Sequence, residues 1–174
     1  LVRAGASTPP TCPSCQGAEL DRLLSIPAVQ SETTHGMALR AAKALTVSLV
    51  AEVNGRVVGH VAFSPVTISD ACPNWYGLGP VSVLPEYQRQ GIGDALIQEG
   101  LSRLKRLNAQ GCCLVGHPEY YKRFGFRNIP GLVHEGVPQE VFLALSLVGQ
   151  VPQGIVEFHK GFKADCQQEG AGDA

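Results

Sequence analysis

Residues 81–93, Val-Ser-Val-Leu-Pro-Glu-Tyr-Gln-Arg-Gln-Gly-Ile-Gly, constrain the fold more than any other stretch of the chain. An apolar run closes at Pro85. A short loop with glycines at 91 and 93 then leads into residues 94–107, where Ile97, Leu101, Leu104 and Leu107 recur every three or four positions with Arg103, Lys105 and Arg106 among them. That is the pattern of a strand, a loop and an amphipathic helix in direct succession. The first N–H groups of such a helix have no intrahelical acceptor, and its N-terminus carries a partial positive charge. Arg89 adds a full charge, and the glycines let the main chain come close to a ligand. Together they form a cradle for a pyrophosphate. The competing reading is an ordinary strand–helix connection. The stretch lacks the Gly-Lys-Ser/Thr ending of a P-loop, and it does not fit the G-x-G-x-x-G dinucleotide fingerprint.

The elements around it are those of a sheet. Residues 46–53 are rich in Val and Leu, Asn54-Gly55 follows, and residues 56–64 form a second apolar run. Asn-Gly between two such runs predicts a tight hairpin, because both turn positions need positive φ. Pro65 ends or bends the second strand, and residues 66–69 continue pairing at an edge. Residues 75–84 read as another strand, irregular or bulged where Gly77, Gly79 and Pro80 interrupt it. Residues 112–115 form a continuously apolar central strand. Residues 118–124 suit a helix opened by Pro118 and closed by Gly125. Residues 141–148 and 155–158 read as the last strands. Towards the N-terminus, residues 19–25 and 37–44 have helical composition. The fold class is therefore α/β in the α+β sense: a mixed, mostly antiparallel twisted sheet with flanking helices and a bulged central strand. Residues 1–35 are expected to form an atypical N-terminal segment, residues 36–166 a single domain, and residues 167–174 a flexible tail.

Composition narrows the function classes. With 174 residues, 44% hydrophobic and 17% charged, one packed domain is expected rather than a disordered chain. A net charge of −1 argues against nucleic acid as the main partner. No apolar run approaches the ~18 residues of a membrane span, and residues 1–10 lack an apolar signal core. Cys12, Cys15, Cys72, Cys112, Cys113 and Cys166 are too scattered for a disulfide scaffold, which points to a reduced, cytoplasmic setting. Cys12-Pro13-Ser14-Cys15 is a lone C-x-x-C without the second ligand pair of a structural zinc, so no metal is expected. The chain opens on Leu1, read as a non-standard start or a truncation.

Gln88-Arg89-Gln90-Gly91-Ile92-Gly93 resembles the Q/R-x-x-G-x-G/A signature of the GNAT superfamily of acetyl-CoA-dependent N-acetyltransferases. Tyr121-Lys122-Arg123-Phe124-Gly125-Phe126 resembles its second landmark, Y-x-x-x-G-F, and the two stand in the family's order with a helix and a strand between them. The likeness runs from about Leu39 to Phe162. It is nearest to the small bacterial predicted acetyltransferases, whose sequences also carry stretches like Gly59-His60-Val61, Trp75-Tyr76-Gly77-Leu78-Gly79-Pro80 and Tyr120-Tyr121. The family's usual opening strand is not visible in the first 35 residues.

The resemblance implies that the strands near 77–84 and 112–116 splay apart and admit the pantetheine arm of acetyl-CoA, much as an added strand would sit. The backbone of Val81, Ser82 and Val83 would hold the arm and the thioester carbonyl. The amides of Arg89, Gln90, Gly91, Ile92, Gly93 and Asp94 would hold the pyrophosphate, with the Asp94 side chain turned away from it. Tyr121 falls at the family's general-acid position, where it would protonate the leaving thiolate. Tyr120 is its rival, and the tyrosine could instead only line the tunnel. The acceptor must present a neutral amine, so a general base would help. Glu86, His60 and His117 are the candidates, against a solvated loop carboxylate for Glu86 and a sheet-face histidine for His60. His117, after the 112–116 strand, could also contact cofactor or acceptor. Cys112 and Cys113 read as buried, inert thiols.

The expected function is transfer of an acetyl group from acetyl-CoA to an unidentified primary amine by direct attack, by a possible homodimer with no nucleic-acid or membrane partner. The alternatives are a non-catalytic acyl-CoA-binding or regulatory domain with the same cleft, and an interaction module whose glycines serve only turns.

Overall fold

The computed structural model describes residues 22–25, 45–149 and 151–159. Its strands are β1 (Arg22–Ser25), β2 (Val47–Val53), β3 (Arg56–Ile68), β4 (Trp75–Val83), β5 (Gly111–Val115), β6 (Leu132–Val133), β7 (Phe142–Ser146) and β8 (Gly154–Phe158). Helix α1 (Ile92–Arg106) follows β4, and the single turn α2 (Pro118–Tyr121) follows β5 and runs on into a 3-10 turn, Lys122–Phe124. The main sheet has the order β1-β2-β3-β4-β5-β7. All its neighbours are antiparallel except β4 and β5, which are parallel. Strand β8 pairs with the second half of β3 at Val66–Ile68 and carries β6 on its other side. The expected mixed, mostly antiparallel sheet is present.

Local chemistry explains the elements. Asn54 and Gly55, at φ 50° and 75°, form the two-residue turn that pairs Val53 with Arg56. Strand β3 crosses Pro65 without breaking and changes partner beyond it, from β4 to β8, so pairing continues through Ile68 as expected. In the β3–β4 ladder the register slips between Val61 opposite Val81 and Phe63 opposite Leu78. The extra residue lies in β4, where Gly79 and Pro80 weaken the ladder; this is the expected bulge. One expectation is overturned. Local composition predicts the end of a helix at residues 22–25, whereas they form a strand antiparallel to β2. An extended edge is more favourable for Leu23 and Leu24 once a neighbouring strand offers hydrogen bonds, and local composition does not reveal that neighbour. The readings for residues 1–21, 26–44 and 160–174, including the 37–44 helix, the Cys12/Cys15 pair and the tail, lie outside the described residues.

The period-two alternation of the strands sorts the core into two layers. On the side of α1, Leu49, Val61, Phe63, Leu78, Cys112, Leu114 and Leu143 meet Ile92, Leu96, Ile97, Leu101 and Leu104. On the other, Val66, Trp75, Cys113, Leu132, Phe142, Ala144 and Val156 form a second cluster. Strand β5 reads as an unbroken apolar run because Cys112 and Leu114 face one layer and Cys113 the other. Helix α1 lies so close to the sheet that a Cβ on Gly100 would stand 2.1 Å from the ring of the buried Phe63. Gly100→Ala therefore sets a helix-propensity gain of about 1 kcal/mol against an overpacking cost of about 1–3 kcal/mol. The expected result is a lower unfolding temperature in a thermal melt; an unchanged or higher one would mean that α1 is not seated on Phe63.

Candidate functional site

The parallel ladder between β4 and β5 is short. It pairs Trp75 with Gly111, Tyr76 with Cys112 and Gly77 with Cys113, then stops. Beyond it, Val81, Ser82 and Val83 pair only with β3, while Leu114 and Val115 pair only with β7. The two strands thus separate as expected, leaving Leu78–Val83 with no strand on the β5 side among the described residues. Below the gap lies a cleft of about 570 Å³ lined by Val81, Ser82, Val83, Tyr87, Gln88, Arg89, Gly91, Gly93, Asp94, Tyr120 and Arg123.

The loop that closes the cleft is held by its own side chains. The Gln88 side-chain amide donates to the Val83 carbonyl at 3.0 Å, and that of Gln90 donates to the Glu86 carbonyl at 3.0 Å. Arg89 and Gly91 both adopt left-handed backbone, at φ 60° and 83°. Such alternation turns successive N–H groups toward one point. Gly91 is the N-cap of α1, without a side-chain cap, and the first intrahelical bond runs from the Ala95 amide to the Gly91 carbonyl at 2.9 Å. The amides of Ile92, Gly93 and Asp94 have no intrahelical acceptor, which leaves them available to an anion. Among the described residues, the Arg89 side chain makes no ion pair. Ile92 contributes backbone only, because its side chain is buried in the core.

Opposite the loop, α2 and the 3-10 turn after it bring Tyr120 and Arg123 against Asp94 of α1. The Tyr120 hydroxyl donates to Asp94 Oδ1 at 3.0 Å. Arg123 donates from Nη1 to Asp94 Oδ2 at 3.1 Å and from Nε to the Tyr120 carbonyl at 2.9 Å, and its guanidinium lies 4.6 Å from the Tyr120 ring centroid. Both oxygens of the Asp94 carboxylate are thus engaged, one by Tyr120 of α2 and one by Arg123 of the turn that follows it. Burial, and then the neighbouring Asp94 charge, push the Tyr120 hydroxyl well above the ordinary phenol range. Burial alone raises Tyr121. Both stay protonated at neutral pH.

The remaining sequence candidates are dispersed. Tyr121 is 9% exposed; its ring packs with Tyr120, Phe124 and Phe126, and a Cβ on Gly116 would meet it at 2.4 Å. Tyr121 is not among the residues that line the cleft, whereas its neighbour Tyr120 is. Glu86 is on the outside of the loop, its carboxylate 3.2 Å from Arg56. His60 is buried opposite Ser82, one strand from the cleft, with Nε2 3.0 Å from the Ser48 hydroxyl. His117 is exposed, and its carbonyl accepts from the Tyr120 and Tyr121 amides. Of the candidates, then, the structure gathers Val81, Ser82, Val83, Arg89, Gly91, Gly93, Asp94 and Tyr120 around the cleft, and leaves Glu86, Gln90, Ile92, His60, His117 and Tyr121 off its lining. Gln88, Tyr87 and Arg123 are the lining residues that sequence reasoning left out. Gln88 opens the glycine signature and could have been read as its anchor, whereas the contact of Arg123 with Asp94 spans 29 residues and leaves no local signal.

Among the described residues no cluster of His, Cys, Asp or Glu could hold a metal ion, and no helix is long and apolar enough to cross a membrane. Cys112 and Cys113 are fully buried, and burial raises both thiols well above the ordinary range. A thiol is nucleophilic as the thiolate, so neither is poised to carry an acyl group. The peptide bearing Cys112 and Cys113 should remain unlabelled by an alkylating reagent in the native protein at pH 8 and label fully after unfolding, as read by mass spectrometry. Native labelling would reopen an acyl-cysteine route.

Residues 45–128 match the family model for an acetyltransferase (GNAT) domain. The uncharacterized N-acetyltransferase YjhQ of Escherichia coli strain K12 is 37% identical over 87 residues, 49% of this chain and 48% of that protein. The chain thus matches about half the length of this curated relative. A GNAT family acetyltransferase from Brucella melitensis, determined in complex with acetyl-CoA, is 48% identical, covering 78% of this chain and 82% of its own, with a TM-score of 0.64. The N-acetyltransferase YhbS of E. coli, determined in complex with CoA, is 32% identical over 75% of this chain and 76% of its own, with a TM-score of 0.70.

Proposed function

The chain belongs to the GNAT family of acetyltransferases, and we propose that it transfers an acetyl group from acetyl-CoA to a primary amine by direct attack. The observation that carries this reading is the early end of the β4–β5 ladder directly above an uncapped, glycine-lined helix N-terminus. A pantetheine arm can take the place of the missing strand against Val81–Val83, while the amides of residues 89–94 and the Arg89 side chain receive the pyrophosphate. A main-chain N–H of Val81–Val83 aimed at the thioester oxygen would stabilise the charge that develops there. Attack by a neutral amine on the thioester carbonyl forms the new C–N bond and breaks the C–S bond; the nitrogen loses a proton to water, and the expelled thiolate takes one up.

Tyr121 is the proposed donor of that proton. Its phenol is kept protonated by burial, and its hydroxyl has no hydrogen-bond partner among the described residues, whereas Tyr120 already directs its proton at Asp94. A second reading, an acyl-CoA-binding domain without turnover, is favoured by one observation: Glu86, His60 and His117 all stand off the cleft. A soluble, cytoplasmic protein and a homodimer complete the proposal.

A thermal melt with acetyl-CoA, with adenosine as the control, is the first test. A rise specific to acetyl-CoA is expected, since a ligand bound only by the folded state stabilises it; no rise would overturn both readings. Gly91→Glu should abolish that rise, by placing a side chain and a negative charge where φ is 83° and the phosphates would sit. A near-normal rise in Gly91→Glu would mean that the loop is misassigned. Release of free CoA across a panel of amines then separates an enzyme from a binding domain. With a responsive amine, Tyr121→Phe should lower kcat by about 10²–10⁴-fold with binding of acetyl-CoA retained. An unchanged kcat would remove Tyr121 from the chemistry.

A further inference from the structure

Asp94 stands at the third position of α1, inside the turn whose amides are offered to phosphate. A carboxylate there opposes an anionic ligand, yet both its oxygens are used: Oδ1 takes the Tyr120 hydroxyl, and Oδ2 takes Arg123. The bond to Tyr120 has a structural purpose, because it ties α2 to the start of α1, 26 residues away in sequence. The Tyr120 hydroxyl is also the atom that a Cβ on Gly93 would meet, at 3.0 Å, so the tie lies directly against the phosphate loop. Arg123 is placed to cancel the charge this tie brings. Its guanidinium is held by the Tyr120 carbonyl and lies over the Tyr120 ring, with one N–H on Asp94. A guanidinium has five N–H groups, so those still unengaged are left along the cleft edge that Arg123 lines.

We infer that Arg123 is a positioning residue for the donor's phosphates, which compensates the Asp94 carboxylate and thereby lets the Tyr120–Asp94 tie stand beside an anionic ligand. The inference rests on the acetyl-CoA reading above. Arg123 lies outside both the glycine loop and β4, and a second substitution at Asp94 should therefore restore much of what the Arg123 substitution loses.

The test is the Kd for acetyl-CoA, measured by titration calorimetry on the full chain at low and at high salt, with thermal melts to confirm folding. Arg123→Gln leaves Asp94 uncompensated and should weaken binding about tenfold or more, the range of a charge-assisted hydrogen bond. The deficit should shrink at high salt, where exposed charges are screened. Asp94→Asn together with Arg123→Gln removes both charges and should recover most of the loss. Wild-type-like affinity in Arg123→Gln would overturn the inference, as would a double variant no better than the single one or a deficit independent of salt, since those mark a packing role. A wild-type protein that binds no acetyl-CoA overturns the underlying reading and this inference with it.

Discussion

The rest of the site depends on where the β4–β5 ladder ends. Three residue pairs join these strands, the last at Gly77 and Cys113. Up to that point β4 is an interior strand with main-chain partners on both sides; beyond it the chain has lost a neighbour but keeps its direction, because β3 still holds Val81, Ser82 and Val83. Unpaired main-chain groups in a sheet are costly unless water or a ligand meets them. The bulge at Gly79-Pro80 contributes to the separation, since Pro80 has no N–H to donate. Strand β5 is fixed at its other edge by five pairs with β7, so the gap is held open from both sides.

The second constraint is electrostatic. The uncapped start of α1, the left-handed residues Arg89 and Gly91, and the Arg89 side chain all favour an anion at one end of the gap. The one carboxylate in the cleft lining, Asp94, is ion-paired with Arg123 of the turn after α2. The two arms of the site therefore differ in chemistry. One offers main-chain groups to an extended, amide-bearing segment, and the other offers positive charge and N–H groups to phosphates. CoA thioesters combine those two features, and the structures from B. melitensis and E. coli were determined with acetyl-CoA and CoA respectively.

Much of this was legible in the sequence where the signal is local. Asn54-Gly55, the glycine loop, the α1 periodicity and the unbroken apolar run of β5 each depend on a few adjacent residues, and each predicts its element. Pairing partners were less legible: beyond Pro65, β3 pairs with β8, and residues 22–25 are extended because β2 is there to pair with them. Both depend on partners distant in sequence. The lining of the cleft was legible where it comes from one continuous stretch, Val81 to Asp94. The catalytic candidates are dispersed in the structure. Spacing does not reveal that Tyr120 rather than Tyr121 faces the cleft, that Glu86 pairs with Arg56, or that His60 is directed at Ser48. Each outcome is set by packing against a separate element.

The central claim is that one ligand occupies both the strand gap and the helix N-terminus. Backbone amide resonances followed by ¹⁵N-resolved NMR during an acetyl-CoA titration test it most directly. The account predicts that the largest shifts fall on Val81–Val83 and on residues 89–94 together, saturating along one binding curve. Shifts confined to one of these segments, or centred elsewhere on the sheet, would contradict it.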